Sequence, residues 1–333
     1  MDNREIVFVE PWKVEITSKR IDARMEAHQV LVKKIYTMVS PGTELACLSG
    51  MESWFNMPGV PGYASVSEIV EVGSEVTDYK VGDVVFHYGK HSRYEFTTTD
   101  GVFLKVPEGL ELKRVPFTRM ATIALTAIRV SEIELGDLVS VTGQGIVGNM
   151  AAQLAALQGA EVIGLDLANE RLLTAKECGI KHCVNAGTEE PKDRIMNISN
   201  GKGVNTAIDA TGVPKVAIDS LSWIGKFGEI ILLGTPRGTY NTDVTEVLRS
   251  SHLFEKGCIN FKGAHEWRYP VAPDTFVKHS LLRNSTIVFQ LLMNESLIVD
   301  PLISHIIPYE KAPEAYEGLR NNKDLYNGVL FKW

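Results

Sequence analysis

The stretch that most limits the possible folds is "LVSVTGQGIVGNMAAQLAALQG", residues 138–159. A short apolar run leads into Gly143, Gly145 and Gly148, which have G-x-G-x-x-G spacing, and a helical run rich in small residues follows. This spacing between a strand and a helix is typical of the turn that holds the pyrophosphate of a dinucleotide. Gly143 permits the tight turn, Gly145 lets the backbone approach the phosphates, and Gly148 lets the helix pack on the sheet. A glycine-rich turn that binds nothing is the alternative.

Apolar strands alternate with helices through the rest of residues 122–264. The strands "EVIGLD", "HCVN", "NTAIDATG", "EIILLGT" and "INFKGA" are separated by helical stretches such as "NERLLTAKECG" and "PKVAIDSLSWIG". This alternation predicts an α/β unit with a doubly wound parallel sheet. In the helix "NERLLTAKECG", Asn169 is the expected N-cap and Gly179 is expected just past the end.

Asp166 ends the second strand of this region and bears on the choice of coenzyme. A carboxylate there accepts hydrogen bonds from the adenosine ribose hydroxyls and repels a 2′-phosphate, which favours NAD over NADP. The nearest arginine, Arg171, is expected out on the following helix. An Asp166 that merely caps the following turn is the alternative.

The first 118 residues have a different pattern of apolar and polar residues. Short alternating runs such as "IVFVE", "KVEIT", "QVLVKKIY" and "SVSEIVEVG" are broken by Gly and Pro, which predicts a β-rich barrel or sandwich. Residues from about 265 to 333 return to a mixed character. A chain of 333 residues is long for one hydrophobic core, so we expect two domains.

Composition and charge exclude several classes of protein. The net charge is −7 and no basic cluster occurs, so we expect no nucleic-acid partner. No signal peptide and no apolar run long enough for a bilayer are seen, so we expect no membrane partner. No C-x-x-C pair occurs among the four cysteines, which indicates free thiols and a cytoplasmic location. They are Cys47, Cys178, Cys183 and Cys258.

The order of these regions resembles the medium-chain dehydrogenase/reductase family, the zinc alcohol dehydrogenase-like proteins. The segments that carry the resemblance are "SPGTE", "PGYASVSEIVEVG", "YKVGDVV", "KVPEGL", "VTGQGIVG", "VIGLD", "IDATG" and "GEIILLGT". The resemblance implies a GroES-like β-rich catalytic domain formed by residues 1–121 and 265–333. It also implies a Rossmann NAD-binding domain at residues 122–264, and a homodimer that pairs through the strand in "CINFKG".

Ten residues are predicted to bind NAD from the glycine motif and the resemblance together. Thr126, in "ALTA", is expected under the nicotinamide because the resemblance suggests it. The full set is Gly143, Gln144, Gly145, Ile146, Val147, Gly148, Asp166, Thr126, Thr211 and Gly234.

The sequence departs from the family at the positions of the zinc ligands. Zinc members usually carry Cys-Gly-[Ser/Thr]-Asp and Gly-His-Glu in the two catalytic loops, where this chain has Pro41-Gly42-Thr43-Glu44 and Gly62-Tyr63-Ala64. The remaining ligand position is best matched by Ala121, and the four-cysteine structural zinc lobe is missing. We therefore predict that no metal is needed. A site rebuilt from Glu44, His87 and His91 is the alternative.

Without a Lewis acid, hydrogen bonds and proton relay must stabilise the alkoxide-like charge that develops on the substrate oxygen during hydride transfer. We expect Tyr63 and Thr43 to donate hydrogen bonds and predict the base among Glu44, His87 and His91. Tyr63 as a plain pocket wall, Thr43 bonded only within its turn and His91 at the surface are the alternatives.

The resemblance implies an NAD-dependent oxidoreductase that interconverts a secondary alcohol and a ketone. The polar segments "GKHSRYE" and "GAHEWRYP" favour a sugar, glycoside or cyclitol as the small-molecule substrate. A domain hinge or subunit contact is an equal interpretation of "FKGAHEWRYP", residues 261–270. Alternatives for the whole protein are a quinone or enoyl reductase, a dehydrogenase of a hydroxyethyl tetrapyrrole, a zinc enzyme with relocated ligands, and a non-catalytic NAD-binding protein.

Overall fold

A computed structural model describes residues 2–21 and 24–333. The chain forms two compact units. The first consists of Met1–Arg119, Tyr269–Glu295 and Leu302–Trp333, and the second of Met120–Arg268 and Ser296–Pro301. The sequence had placed the divisions after residues 121 and 264, and had assigned residues 296–301 to the first unit.

The described residues form fifteen strands and nine α-helices. The strands are β1 (Asp2–Glu10), β2 (Lys13–Arg20), β3 (Gln29–Met38), β4 (Ser65–Val72), β5 (Val84–His87), β6 (Tyr94–Thr98), β7 (Phe103–Lys105), β8 (Leu138–Thr142), β9 (Glu161–Asp166), β10 (His182–Asn185), β11 (Val204–Asp209), β12 (Ile224–Leu232), β13 (Asn260–Gly263), β14 (Ile303–Pro308) and β15 (Gly328–Lys332). The helices are α1 (Pro41–Leu48), α2 (Phe117–Val130), α3 (Ile146–Leu157), α4 (Asn169–Glu177), α5 (Pro191–Ile198), α6 (Pro214–Asp219), α7 (Val244–His252), α8 (Leu281–Met293) and α9 (Ala312–Asn321). None of the described helices is long and apolar enough to cross a membrane.

The first unit is built on a seven-stranded mixed sheet and a two-stranded ribbon, β1–β2. Its long strand β3 pairs with β4, β6 and β15, so it is the centre of the unit. Alternating side chains of β3 and β4, including Val30, Val32 and Ile69, are completely buried in one core cluster. A second cluster packs Phe8 and Phe331 against Tyr316 of α9. The β-rich prediction for this part of the chain is confirmed.

The second unit holds a six-stranded parallel sheet in the order β10-β9-β8-β11-β12-β13. The strand order reverses at β8, because β9 and β10 lie on one side of it and β11, β12 and β13 on the other. Ligands of such sheets bind at the carboxyl ends of the strands beside this reversal. Thr142 at the end of β8 is in register with Leu165 of β9 and with Asp209 of β11. The ends that carry the predicted cofactor residues therefore meet at one edge, and the doubly wound prediction is confirmed.

Residues 296–301 belong to the second unit because Gln153 of α3 anchors them. Its side-chain amide donates to the carbonyl of Ile298 and accepts from the Ile298 backbone N–H, both at 2.8 Å. The Gln153 side chain is almost completely buried. This pairing between residues distant in sequence has no local signal, so the sequence pattern could not reveal it.

Helix α4 shows where the prediction of its ends was right and where it was wrong. Gly179 follows the helix with φ +89°, as expected for a residue just past a helix end. Asn169, however, is the first helical residue, and Ala168 precedes it as the N-cap. The Asn169 side chain instead accepts a hydrogen bond from the Asn185 amide at 2.6 Å, and Asp166 binds the Ala168 N–H.

Candidate functional site

The glycine loop has the geometry that phosphate binding requires. Gly143 adopts φ +91°, where a side chain would be strained and would meet Thr211 at 2.9 Å. A Cβ on Gly148 would lie 1.7 Å from the carbonyl oxygen of Gly143, so helix α3 packs on the loop only because residue 148 is glycine. A Cβ on Gly145, the N-cap of α3, would meet nothing within 4 Å. Open space therefore lies at the N-terminus of the helix.

The first-turn N–H groups of α3, those of Ile146, Val147 and Gly148, have no carbonyl partner within the helix and can bind an anion. Gln144 contributes differently from what its place in the motif suggests. Its completely buried side chain donates to the Val141 carbonyl at 2.8 Å. That side chain fixes the turn and leaves the first-turn N–H groups of α3 to face a phosphate.

Asp166 is tied to the same loop. One carboxylate oxygen accepts from the Gln144 backbone N–H at 2.7 Å and the other from the Ala168 N–H at 2.9 Å. The Arg171 guanidinium lies 3.8 Å from the first oxygen. Arg171 is thus on α4, as expected, but it reaches back to the carboxylate. The sequence missed this contact because the helix reverses the direction of the chain.

Thr211 and Gly234 flank the end of β11. Asp209, which ends this strand, accepts from both the backbone N–H and the hydroxyl of Thr211, at 2.8 and 2.6 Å. Burial raises the pKa of the Asp209 carboxyl, and the bonds from Thr211 oppose the shift. A Cβ on Gly234 would lie 2.3 Å from the Gly212 nitrogen. These residues shape the carboxyl edge of the sheet next to the glycine loop.

Thr126 lies on α2 and is completely buried. Its hydroxyl donates to the Thr122 carbonyl at 3.0 Å, and the Thr122 hydroxyl donates to the Glu266 carboxylate at 2.8 Å. Glu266 comes from the segment "GAHEWRYP" and is also buried. Part of that segment therefore anchors α2 within the second unit, while Trp267 beside it is 56% exposed.

In the first unit, the loop that carries Tyr63 is shaped by a histidine. Gly62 has φ +101°, and a Cβ there would lie 2.8 Å from the His91 ring. The half-buried Tyr63 follows, and the hydroxyls of Ser40 and Thr43 lie close enough to its phenol oxygen to influence its pKa. Burial raises the pKa of Tyr63, whereas these two hydroxyls and the nearby Arg119 act to lower it. Tyr63 and Thr43, predicted together from the sequence, are therefore in contact.

Glu44 and His91 form a buried pair behind this loop. The Glu44 carboxylate accepts from His91 Nε2 at 3.0 Å, from the Tyr316 hydroxyl at 2.5 Å and from the Ser40 backbone N–H at 2.8 Å. His91 Nδ1 hydrogen-bonds Thr37 at 2.7 Å. His91 is completely buried and Glu44 is 2% exposed, which rules out the surface position for His91. The geometry favours a positioning role for the pair.

His87 belongs to a separate buried cluster. Its Nε2 hydrogen-bonds the Ser67 hydroxyl at 2.9 Å and the Lys34 ammonium at 3.2 Å. Lys34 also forms an ion pair of 2.5 Å with Glu95. Burial, and secondarily the Lys34 charge, lower the pKa of His87 well below its ordinary value. The imidazole is held neutral with its only basic nitrogen already used.

The residues at the family's zinc-ligand positions do not suit zinc. Pro41 and Ala121 offer no ligand atom on their side chains, and Tyr63 is a phenol whose pKa burial raises, so it does not readily provide the phenolate that a metal ion would need. His87 is engaged with Lys34 and Ser67, apart from the Glu44–His91 pair. Among residues 2–21 and 24–333, no three His, Cys, Asp or Glu side chains are grouped so that they could hold a metal ion.

A nicotinamide dinucleotide, by contrast, fits the second unit. The open space at Gly145, the unpaired first-turn N–H groups of α3 and the carboxylate at the end of β9 are the features that such a cofactor requires. They were identified from the sequence and come together at one edge of the sheet.

We predict that Gly145→Ala leaves the protein folded but weakens NADH binding by at least about tenfold, since the methyl group occupies the space where the backbone meets the pyrophosphate. Fluorescence titration of NADH and thermal denaturation measure the two effects. Gly148→Ala is the matched control, because it must disturb the packing of α3 and lower the melting temperature. Unchanged NADH affinity in Gly145→Ala would contradict the assignment of the loop.

We also predict that the free energy of unfolding falls as the pH drops below about 6.5. In the unfolded chain His87 takes up a proton in this pH range, whereas the folded imidazole, facing Lys34 and Glu95, stays neutral. The free energy of unfolding therefore changes by up to about 1.4 kcal/mol per pH unit because of this group. Urea unfolding between pH 7 and 5 measures it. His87→Gln removes this part of the slope, whereas His28→Gln, an exposed control, keeps it; equal slopes in all three proteins would refute the explanation.

Comparison with known proteins agrees with this geometry. The alcohol dehydrogenase GroES-like domain model matches residues 26–107 and the zinc-binding dehydrogenase model matches residues 147–272, together more than half of the chain. D-guloside 3-dehydrogenase of Escherichia coli (strain K12) is 29% identical over 75% of this chain and 71% of its own length. Sorbitol dehydrogenase of Halalkalibacterium halodurans is 29% identical over 64% of this chain and 72% of its own length.

The fold is shared with solved dehydrogenases. Galactitol-1-phosphate dehydrogenase from Escherichia coli matches 99% of this chain and 100% of its own with a TM-score of 0.84, at 18% identity. The resemblance inferred from the sequence is therefore confirmed, and the protein is an oxidoreductase. The chain belongs to the medium-chain dehydrogenase/reductase family, as a member without the family's usual zinc ligands.

Proposed function

We propose that this protein is a zinc-independent, NAD-dependent oxidoreductase that interconverts a secondary alcohol and a ketone on a sugar, glycoside or cyclitol. The observation that carries the proposal is the cluster of Tyr63, Ser40 and Thr43. A phenol with two hydroxyl groups close to its oxygen stands at the position where the family's zinc-binding histidine is expected, and the family's other ligand positions carry Pro41 and Ala121. Polar hydrogen atoms thus take the place of a metal ion.

The chain's own groups account for the proton in this reaction. NAD, when bound, accepts the hydride from the carbinol carbon. The substrate hydroxyl gives its proton to the Tyr63 oxygen, and the hydroxyls of Thr43 and Ser40 stabilise the negative charge on that oxygen before the transfer. In the reverse direction Tyr63 donates the proton to the ketone oxygen. Because burial raises the pKa of Tyr63, the phenol is protonated at neutral pH, which favours ketone reduction there.

Glu44 and His91 support this cluster and are proposed as positioning residues in the catalytic site. Glu44 holds the Ser40 backbone, and His91 packs directly under Gly62. Neither side chain is exposed enough to touch a substrate. Their effect on the reaction would thus be exerted through the positions of Ser40 and Tyr63.

The relatives support the substrate class. The names of D-guloside 3-dehydrogenase and sorbitol dehydrogenase describe secondary or polyol hydroxyl chemistry, and both proteins share 29% identity with this chain. The alternatives named from the sequence differ in products. A quinone or enoyl reductase consumes NAD(P)H and an electron-poor acceptor, a tetrapyrrole dehydrogenase requires a large apolar substrate, and a non-catalytic protein binds NAD without turnover.

We expect NADH formation with at least one member of a panel of glycosides, polyols and cyclitols, followed by the absorbance of the reduced nicotinamide. Tyr63→Phe should lower kcat by about 10²- to 10⁴-fold, the range for loss of a general acid or base. Tyr79→Phe removes the phenol of another half-buried tyrosine of the first unit, whose hydroxyl donates to the Phe103 carbonyl, and should leave kcat within about twofold. No turnover on the panel combined with reduction of an enone or quinone would overturn the proposal.

The preference for NAD is tested at Asp166. Its carboxylate lies at the end of β9, where the ribose is expected, and the Arg171 guanidinium is 3.8 Å from one of its oxygens. Asp166→Ser should lower the NAD:NADP ratio of kcat/KM by about tenfold or more. Arg171→Ala is the companion variant and should shift the ratio further toward NAD. A wild-type preference for NADP would show that Arg171 dominates at this position.

We further propose that the protein is a cytoplasmic homodimer. All four cysteines are free, which suits a reducing compartment. Strand β13 lies at the edge of the sheet and pairs only with β12 among the described strands. Pairing of β13 with its copy would satisfy the backbone groups of that edge. Light scattering of the purified protein measures the mass directly.

A further inference from the structure

The candidate site contains a cation that the sequence motifs do not predict. Arg119, in the first turn of α2, is only 6% exposed. Its guanidinium carbon lies 5.0 Å from the centre of the Tyr63 ring and 4.2 Å from the centre of the Tyr88 ring. The guanidinium therefore contacts the rings of two tyrosines, one of which is the proposed proton donor and acceptor.

This position matters because Tyr63 must be a negatively charged phenolate before it can accept the proton of the substrate hydroxyl. Burial disfavours that charge, and the nearby Glu44 carboxylate disfavours it further. Glu44 is itself compensated by His91, Tyr316 and the Ser40 N–H. A guanidinium keeps its charge across the accessible pH range, and in a poorly hydrated site it acts on a neighbour at about 5 Å with little screening.

We propose that Arg119 is a positioning residue that provides, through its contact with the Tyr63 ring, the fixed positive charge that a metal ion provides in zinc-dependent relatives. The inference rests on the proposed function for its consequence in catalysis. Tyr88 provides a second aromatic contact for the guanidinium, which helps to fix the cation over the Tyr63 ring. Ser40 and Thr43 then act on the phenol oxygen, and Arg119 acts on the ring to which that oxygen is attached.

The electrostatic role can be measured without any substrate. A ring-fluorinated tyrosine incorporated at position 63 titrates nearer neutrality than tyrosine and gives a single ¹⁹F signal, so its pKa can be followed by NMR in the folded protein. Arg119→Met should raise this pKa by at least about one pH unit relative to the wild-type protein. Arg119→Lys keeps the charge and should restore most of the difference. Arg119→Gln is the second neutral variant, for use if the methionine protein does not fold.

Arg320→Met is the matched control. Arg320 lies 3.9 Å over the Trp12 ring in the same unit, so it loses the same kind of contact while Tyr63 keeps its neighbour. The pKa at position 63 should not change in this variant. Equal pKa values in the wild-type, Arg119→Met and Arg119→Gln proteins would overturn the proposal, whether or not a substrate has been found.

The consequence for catalysis is a separate measurement. With an identified alcohol substrate, Arg119→Met should lower kcat at neutral pH more than it raises KM, and the loss should shrink as the pH rises, because alkali restores the phenolate. A loss that is independent of pH would indicate a purely structural role. Failure of the substrate panel would count against the proposed function alone, since the ¹⁹F titration still reports on Arg119.

Discussion

The buried carboxylate of Glu44 is the constraint around which the first unit's candidate site is arranged. A charge in the protein interior must be paired and hydrogen-bonded, and removing one partner of such a pair costs about 3–5 kcal/mol. Glu44 meets this requirement with donors from three distant parts of the chain: the Ser40 backbone, the His91 imidazole and the Tyr316 hydroxyl. Because each donor belongs to a different segment, satisfying the charge also fixes those segments relative to one another.

The placement of Tyr63 follows from that arrangement. His91 is oriented by Glu44 on one nitrogen and by Thr37 on the other, and Thr37 in turn accepts from the Trp333 indole at 2.9 Å. The edge of the oriented ring leaves room only for glycine at position 62. Tyr63 thereby lies close to Thr43 and to Ser40, whose backbone N–H the Glu44 carboxylate holds. The polar site is thus a consequence of burying one charge.

The second unit was predictable because its signals are local. The strand, the glycine spacing and the small-residue helix that follows are contiguous in the sequence, so a short segment is enough to predict the turn. The contacts of the first unit are different in kind. Glu44 accepts a hydrogen bond from Tyr316, which is far from it in the sequence. Arg119 contacts Tyr63 and Tyr88 from a helix whose sequence shows only apolar periodicity. Residue types could suggest Thr43, Glu44, Tyr63 and His91, but only the fold separates His87 from them.

We propose that polar hydrogens and a fixed guanidinium, rather than a bound metal ion, stabilise the charge of the reacting oxygen. The metal content of active protein tests this proposal, measured by elemental analysis together with activity before and after dialysis against a chelator. We expect far less than one transition metal ion per chain and undiminished activity after chelation. About one zinc ion per chain, with activity lost on chelation and restored by zinc, would contradict it.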